Sequence, residues 1–156
     1  MRWLDRLIGL LEEELALLEE MRGLLAEERD AIVSSDYSRL LGIAKRKETL
    51  GVRHKLVEEA RLSCLKKAGK EGYTVSQLME ELAPSDRARL EKLSERLKEA
   101  AENLIWENKR NALLLNKAIE LNRDLMRIFS SCYSLSYGPN GNLCSDYSGG
   151  KLRLRG

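Results

Sequence analysis

Residues 85–129, SDRARLEKLSERLKEAAENLIWENKRNALLLNKAIELNRDLMRIF, decide the fold. They follow Pro84, and the next proline is Pro139. Leu90, Leu93, Leu97, Ala101, Leu104, Asn108, Leu115, Ala118, Asn122, Leu125 and Phe129 recur through the stretch at helical spacing. One helix of that span is about 65 Å long at a rise of 1.5 Å per residue. A helix so long is marginal alone and needs other long helices beside it. The fold class expected is therefore all-α: an elongated antiparallel helical bundle or coiled coil of three long helices plus one short helix. A flexible C-terminal tail follows it.

Upstream, Leu4, Leu11, Leu18, Leu25 and Ile32 recur every seven residues, with Leu7, Ile8, Leu15 and Met21 on the same face. That repeat keeps one helix facing a partner as the two wind and predicts a helix over residues 2–32. Ser34, Ser35 and Asp36 break it and offer N-caps. A second helix over 37–68 carries the row Ile43, Leu50, Val57 and Cys64 and ends near Gly69 and Gly72. Residues 1–30 hold nine acids and four bases, a balance of −5, whereas residues 37–70 hold three acids and ten bases, a balance of +7. Opposite charge favours an antiparallel pairing of these two helices over self-pairing of either. Thr74 and Gln77 form a capping box for a short helix over 75–82, with Tyr73 and Leu78 at staple positions. Pro84 closes it, and Ser85 and Asp86 start the long helix over 85–130. The bundle is expected over 1–132 and the tail over 133–156.

The composition excludes several classes. One third of the 156 residues are charged, aromatics make up 5% and the net charge is +2. This is the make-up of long helices, and it gives no argument for nucleic acid or for stable membrane insertion. The apolar run Trp3–Leu18 is broken by Asp5, Arg6 and Glu12–Glu14, so no targeting or spanning segment is expected. Cys64, Cys132 and Cys144, odd in number and far apart, form no CxxC spacing, so they support neither a disulfide framework nor a zinc site and fit a cytoplasmic setting. His54, the single histidine, lacks a ligand partner at i+3 or i+4 and reads as a packed or surface residue. Glu12-Glu13-Glu14 reads as a solvated face. No ExxH pair, glycine-rich nucleotide loop or nucleophile–base constellation is present. No enzyme, cofactor or metal is expected.

The asparagines of the long helix are the polar feature that remains. Asn108 and Asn122 are two heptads apart on one face, and Asn111 lies one turn from Asn108. An amide on an apolar seam costs stability and fixes register. The alternative is a face for a client helix whose polar groups pair with those amides. The tail has other physics. Residues 133–156, YSLSYGPNGNLCSDYSGGKLRLRG, contain turn chemistry at Pro139, Asn140 and Gly141 and a basic end at Lys151, Arg153 and Arg155.

Taken together, four features resemble the FlgN-type flagellar type III export chaperones. They are the leucine- and glutamate-rich first helix, the run Lys45–Leu50 (KRKETL), and the NxxNxxLL pattern of Asn108, Asn111, Leu114 and Leu115. The fourth is the tail, Tyr137-Gly138-Pro139-Asn140-Gly141 followed by Gly149-Gly150-Lys151. The resemblance implies a cytoplasmic chaperone for flagellar hook–filament junction proteins, which holds their C-terminal helical region and delivers it to the export gate. It implies client binding by Asn108, Asn111, Leu115, Ile119, Asn122, Leu125 and Met126. It implies docking to the cytoplasmic domain of the export gate protein by Tyr137, Gly138, Asn140 and Gly141. Tyr133 and Tyr147 depart from the pattern as further tyrosines for that contact. A homodimer is left open. The other class of reading is a self-associating coiled-coil scaffold with no export role.

Overall fold

The structure, a computed structural model, describes residues 2–133 together with the backbone of 136–137 and 143–144. Four helices follow in order: α1 (Arg2–Val33), α2 (Tyr37–Lys67), α3 (Val75–Glu80) and α4 (Pro84–Tyr133). The all-α expectation is borne out, with three long helices and one short one. Two two-residue strands, β1 (Ser136–Tyr137) and β2 (Leu143–Cys144), pair antiparallel, Ser136 opposite Cys144 and Tyr137 opposite Leu143. No periodic apolar pattern in the tail announces that pairing. The chain divides into two compact units, Met1–Ala112 and Leu113–Gly156.

In the first unit α1 and α2 are joined by a three-residue link that serves both. At the end of α1 the Asp36 amide donates to the Ala31 carbonyl (2.9 Å) and the Ser35 amide to Ile32 (3.2 Å). This is the Schellman arrangement, and it holds Ser35 at φ 56°. Asp36 then caps α2, its carboxylate accepting from the Arg39 amide at 3.1 Å. The same C-terminal motif closes α2, but there Gly69 takes the positive φ of 71°. A left-handed non-glycine residue costs about 1–2 kcal/mol. Ser35→Gly is therefore expected to raise stability by about 0.5–1 kcal/mol, the remainder being lost to the freer unfolded chain. A urea midpoint unchanged or lowered contradicts this.

The sides of α1 and α2 that meet are complementary in charge. Arg46 pairs with Glu27 (2.8 Å), Lys47 with Glu28 (3.0 Å), Arg53 with Glu20 (3.6 Å) and Arg61 with Glu14 (3.5 Å). From the 46–27 and 47–28 pairs through 53–20 to 61–14 the α2 numbers rise as the α1 numbers fall, so the helices run antiparallel, as the opposite charge balances required. Beneath these pairs Leu17, Leu24 and Ala31 of α1 pack with Ile43, Leu50 and Val57 of α2. Leu17, Leu24 and Ala31 form their own seven-residue row beside the one read from the sequence, so α1 has two apolar rows and serves two neighbours.

The other row faces α3 and the first part of α4. Leu4, Leu7, Ile8, Leu11 and Leu15 join Cys64 and Leu65 of α2, Leu78 and Leu82, and Leu90 and Leu93 of α4 in one buried cluster. The capping box of α3 is present, Thr74 Oγ1 accepting from the Gln77 amide and Gln77 Oε1 from the Thr74 amide. α3 ends at Glu80, two residues before the predicted boundary. The residue preceding a proline is disfavoured in helical conformation, which Pro84 imposes on Ala83. Pro84 instead occupies the first position of α4, where its missing N–H has no helical partner to lose. Lys70 gathers the ends of three elements, its ammonium pairing with Glu81 and lying over the Trp3 and Tyr73 rings.

Within the first unit α4 runs parallel to α1. Arg89 pairs with Asp5 (3.8 Å), Arg96 with Glu19 (3.9 Å) and Glu107 with Arg22 (3.0 Å). These pairs are mostly solvent-exposed and contribute about 0.2–1 kcal/mol each. They set direction more than stability.

Candidate functional site

The structure places the seven client-binding candidates in two different settings. Asn111 is 2% exposed and is the buried polar residue among the described residues. Its Nδ2 donates to the Leu25 carbonyl (2.8 Å) and to Glu28 Oε1 (3.1 Å), which uses both amide hydrogens. The other Glu28 oxygen accepts from Lys47 Nζ (3.0 Å), and Lys47 reaches Asn108 Oδ1 at 3.5 Å. The polar chain thus runs from α4 to α1 to α2 and back to α4. Asn108 is exposed at its outer end. A buried network with its hydrogen bonds made specifies one register, since a shifted helix strands the amide. Asn111 reaches a client only by giving up these bonds.

Leu115, Ile119, Asn122, Leu125 and Met126 lie in the second unit, and all five are exposed. Leu113, Leu121 and Phe129 are exposed there as well. Met126 reaches 69% and Leu121 62%. Single exposed leucines need no explanation, but this many large apolar side chains exposed along the second half of a 50-residue helix, most of them on one side, are of the kind that marks an interaction site. The helix keeps its solvent side by internal pairing, Lys117 with Glu120 (3.4 Å) and Arg127 with Asp124 (3.8 Å). Leu113, Leu121 and Phe129 were not among the candidates. Leu121 was legible: it belongs to the seven-residue row of Leu93, Ala100, Leu114 and Ile128, interrupted only at Glu107.

Of the docking candidates, Tyr137 is described through its backbone, paired with Leu143 in the short ladder. Gly138, Asn140 and Gly141 lie outside the described residues, as do Tyr147 and the basic end.

His54, Glu14 and Cys64 lie at contacts between helices. His54 Nε2 sits 3.2 Å from Glu14 Oε1, and Glu14 also meets Arg61. The sequence reading made Glu14 part of a solvated face. It is instead turned to the α1–α2 seam, its side chain 13% exposed, while Glu12 and Glu13 remain exposed. Cys64 is buried and its thiol donates to the Trp3 carbonyl at 3.5 Å. Among the described residues no group of His, Cys, Asp and Glu could hold a metal ion, and no helix is long and apolar enough to cross a membrane.

A family model described as FlgN protein matches residues 1–144, the four helices and the short ladder included. No curated protein and no solved structure matches the chain.

Proposed function

This chain belongs to the FlgN family, a family of flagellar-assembly chaperones and not of enzymes, and from that premise we propose that it is the cytoplasmic export chaperone of hook–filament junction proteins. The observation that supports this reading is the apolar surface of α4 beyond Ala112. Leu115, Ile119, Leu125 and Met126 are exposed on it, with Asn122 among them. A client whose assembly region is an amphipathic helix exposes apolar surface that would self-associate when free. Covering it with a second amphipathic helix is helix-in-groove recognition, with apolar anchors at i, i+4, i+10 and i+11 and the Asn122 amide at i+7 to fix the register.

A chaperone without an energy-consuming centre shields its client by mass action alone, in proportion to concentration over Kd. Delivery then needs a second contact. The proposed one is the tail, with Tyr137, Gly138, Asn140 and Gly141 docking on the cytoplasmic domain of the export gate protein. In this division Asn108 and Asn111 hold α4 in register.

Co-expression of the chain with a junction protein, followed by gel filtration, tests the reading. A one-to-one complex is expected, and it should disappear when the client's C-terminal helices are deleted. No complex with any junction protein sinks it, and a tight self-associated dimer that survives Leu115→Asp favours a scaffold instead. Tyr137→Ala is expected to leave the melting temperature within 1 °C or so, because a residue beyond the bundle contributes little to the core. Client binding should be unchanged and capture by the gate protein's cytoplasmic domain reduced. Loss of client binding in that variant contradicts the division of labour.

A further inference from the structure

The apolar surface of α4 beyond Ala112 is too wide for one neighbouring helix, and we infer that a client covers it with two amphipathic helices at once, as a helical pair. This rests on the chaperone reading and specifies what that site takes. At 3.6 residues per turn each residue advances the helix by about 100°. Ile119 and Ile128, nine positions apart, therefore stand about 180° from each other around the axis, and Leu121 and Met126 about 140°. Between these edges come Leu115, Leu125 and Phe129. A stripe of about 100° suffices for a helix that faces one packed core. This arc is nearly twice that.

The comparison within α4 makes the point sharper. The seam Leu90, Leu97, Leu104, Asn111 continues at every seventh position as Ala118 and Leu125. In the first unit that seam is the one turned to α1, with Leu90 and Asn111 buried. The rows beside it are broken by polar residues there, Ser94 and Asn108 in one, Glu91 and Lys98 in the other. In the second unit the same two rows read Leu115, Asn122 and Phe129, and Ile119 and Met126. One row is apolar throughout and the other holds two large apolar side chains around one amide, which asks for an added neighbour. One client helix takes the seam and the edge at Leu121 and Ile128. The second takes the edge at Ile119 and Met126.

A second copy of the chain fits less well. In a two-fold dimer formed through this segment each α4 meets one partner helix, which leaves half of the arc bare. Charge does not select the occupant, because Lys117–Glu120 and Arg127–Asp124 pair on the solvent side.

The test is a binding titration of the full chain with the C-terminal helical fragment of a junction protein, then with each helix of that fragment as a separate peptide. The variants are Leu121→Glu, Met126→Glu and Leu113→Glu, each at an exposed position and each checked for unchanged helicity. Both Leu121→Glu and Met126→Glu should weaken the whole fragment at least ten-fold, while Leu113→Glu, outside the arc, leaves it unchanged. Each single-helix peptide should respond to one of the two edges and not the other. Binding of the whole fragment that responds to one edge alone overturns the two-helix inference and leaves the chaperone reading standing. Self-association of the free chain abolished by both edge variants also overturns it, in favour of a second copy. No binding by the unmodified chain overturns the chaperone reading itself and this inference with it.

Discussion

Replacing Asn111 with aspartate is expected to destabilise the bundle by about 3 kcal/mol. The side chain is 2% exposed and both amide hydrogens are donated, to the Leu25 carbonyl and to Glu28. Aspartate keeps the volume and removes both donors. It also sets a buried carboxylate against the Glu28 carboxylate and a carbonyl oxygen, with Lys47 the nearby cation already engaged by Glu28. At an m-value of about 2 kcal/mol/M the urea midpoint should fall by roughly 1.5 M. A fall under about 0.3 M means that the network between α1, α2 and α4 is not formed in solution. Asn111→Leu separates register from stability. It removes the amide and fills the seam, so stability should hold within about 1 kcal/mol while the parallel setting of α4 on α1 loses its pin. Cross-linking of cysteines placed on α1 and α4 would then report more than one register.

Leu90→Ala should cost about 3 kcal/mol, within the usual 2–5 for a leucine truncated in a closed core. Leu90 is completely buried where four elements meet: α1 through Leu4, Leu7 and Ile8, the end of α2 through Cys64 and Leu65, α3 through Leu78, and α4 itself. No single helix can relax into the space without pulling away from two others, so the cavity persists. Leu113→Ala, the same change on the exposed part of α4, should stay within about 0.5 kcal/mol. The contrast matters for function. The end of the bundle around Leu90 is built for rigidity, whereas α4 beyond Ala112 keeps large apolar side chains at the surface, where they contribute nothing to the stability of the free chain.

Much of this was legible in the sequence because the physics was periodic or local. The row Ile43, Leu50, Val57 and Cys64 is buried throughout, since a seven-residue repeat on a lone face has one interpretation. The caps at Asp36 and Thr74 were legible because a cap is decided within three residues. The opposite charges of α1 and α2 gave their direction. What was not legible depended on partners far away in the chain. The second row of α1, Leu17 and Leu24, was hidden by the leucine-rich row beside it. Glu14 differs from Glu12 and Glu13 only by which way the helix turns it, and only Arg61 and His54 reveal that. Asn111 was consistent with a register pin, the simpler reading, and also with a client contact until its partners, 86 and 83 residues away, were known. The breadth of the apolar arc lay in the sequence all along, but it means a partner only once those side chains are seen uncovered.

Amide hydrogen exchange of the full chain, free and bound to the C-terminal helical fragment of a junction protein, tests the central claim most directly. The account predicts new protection over residues 113–133 on complex formation, with the α1–α2 pair exchanging as before. Protection gained on α1 and α2 instead, with 113–133 unchanged, would contradict it.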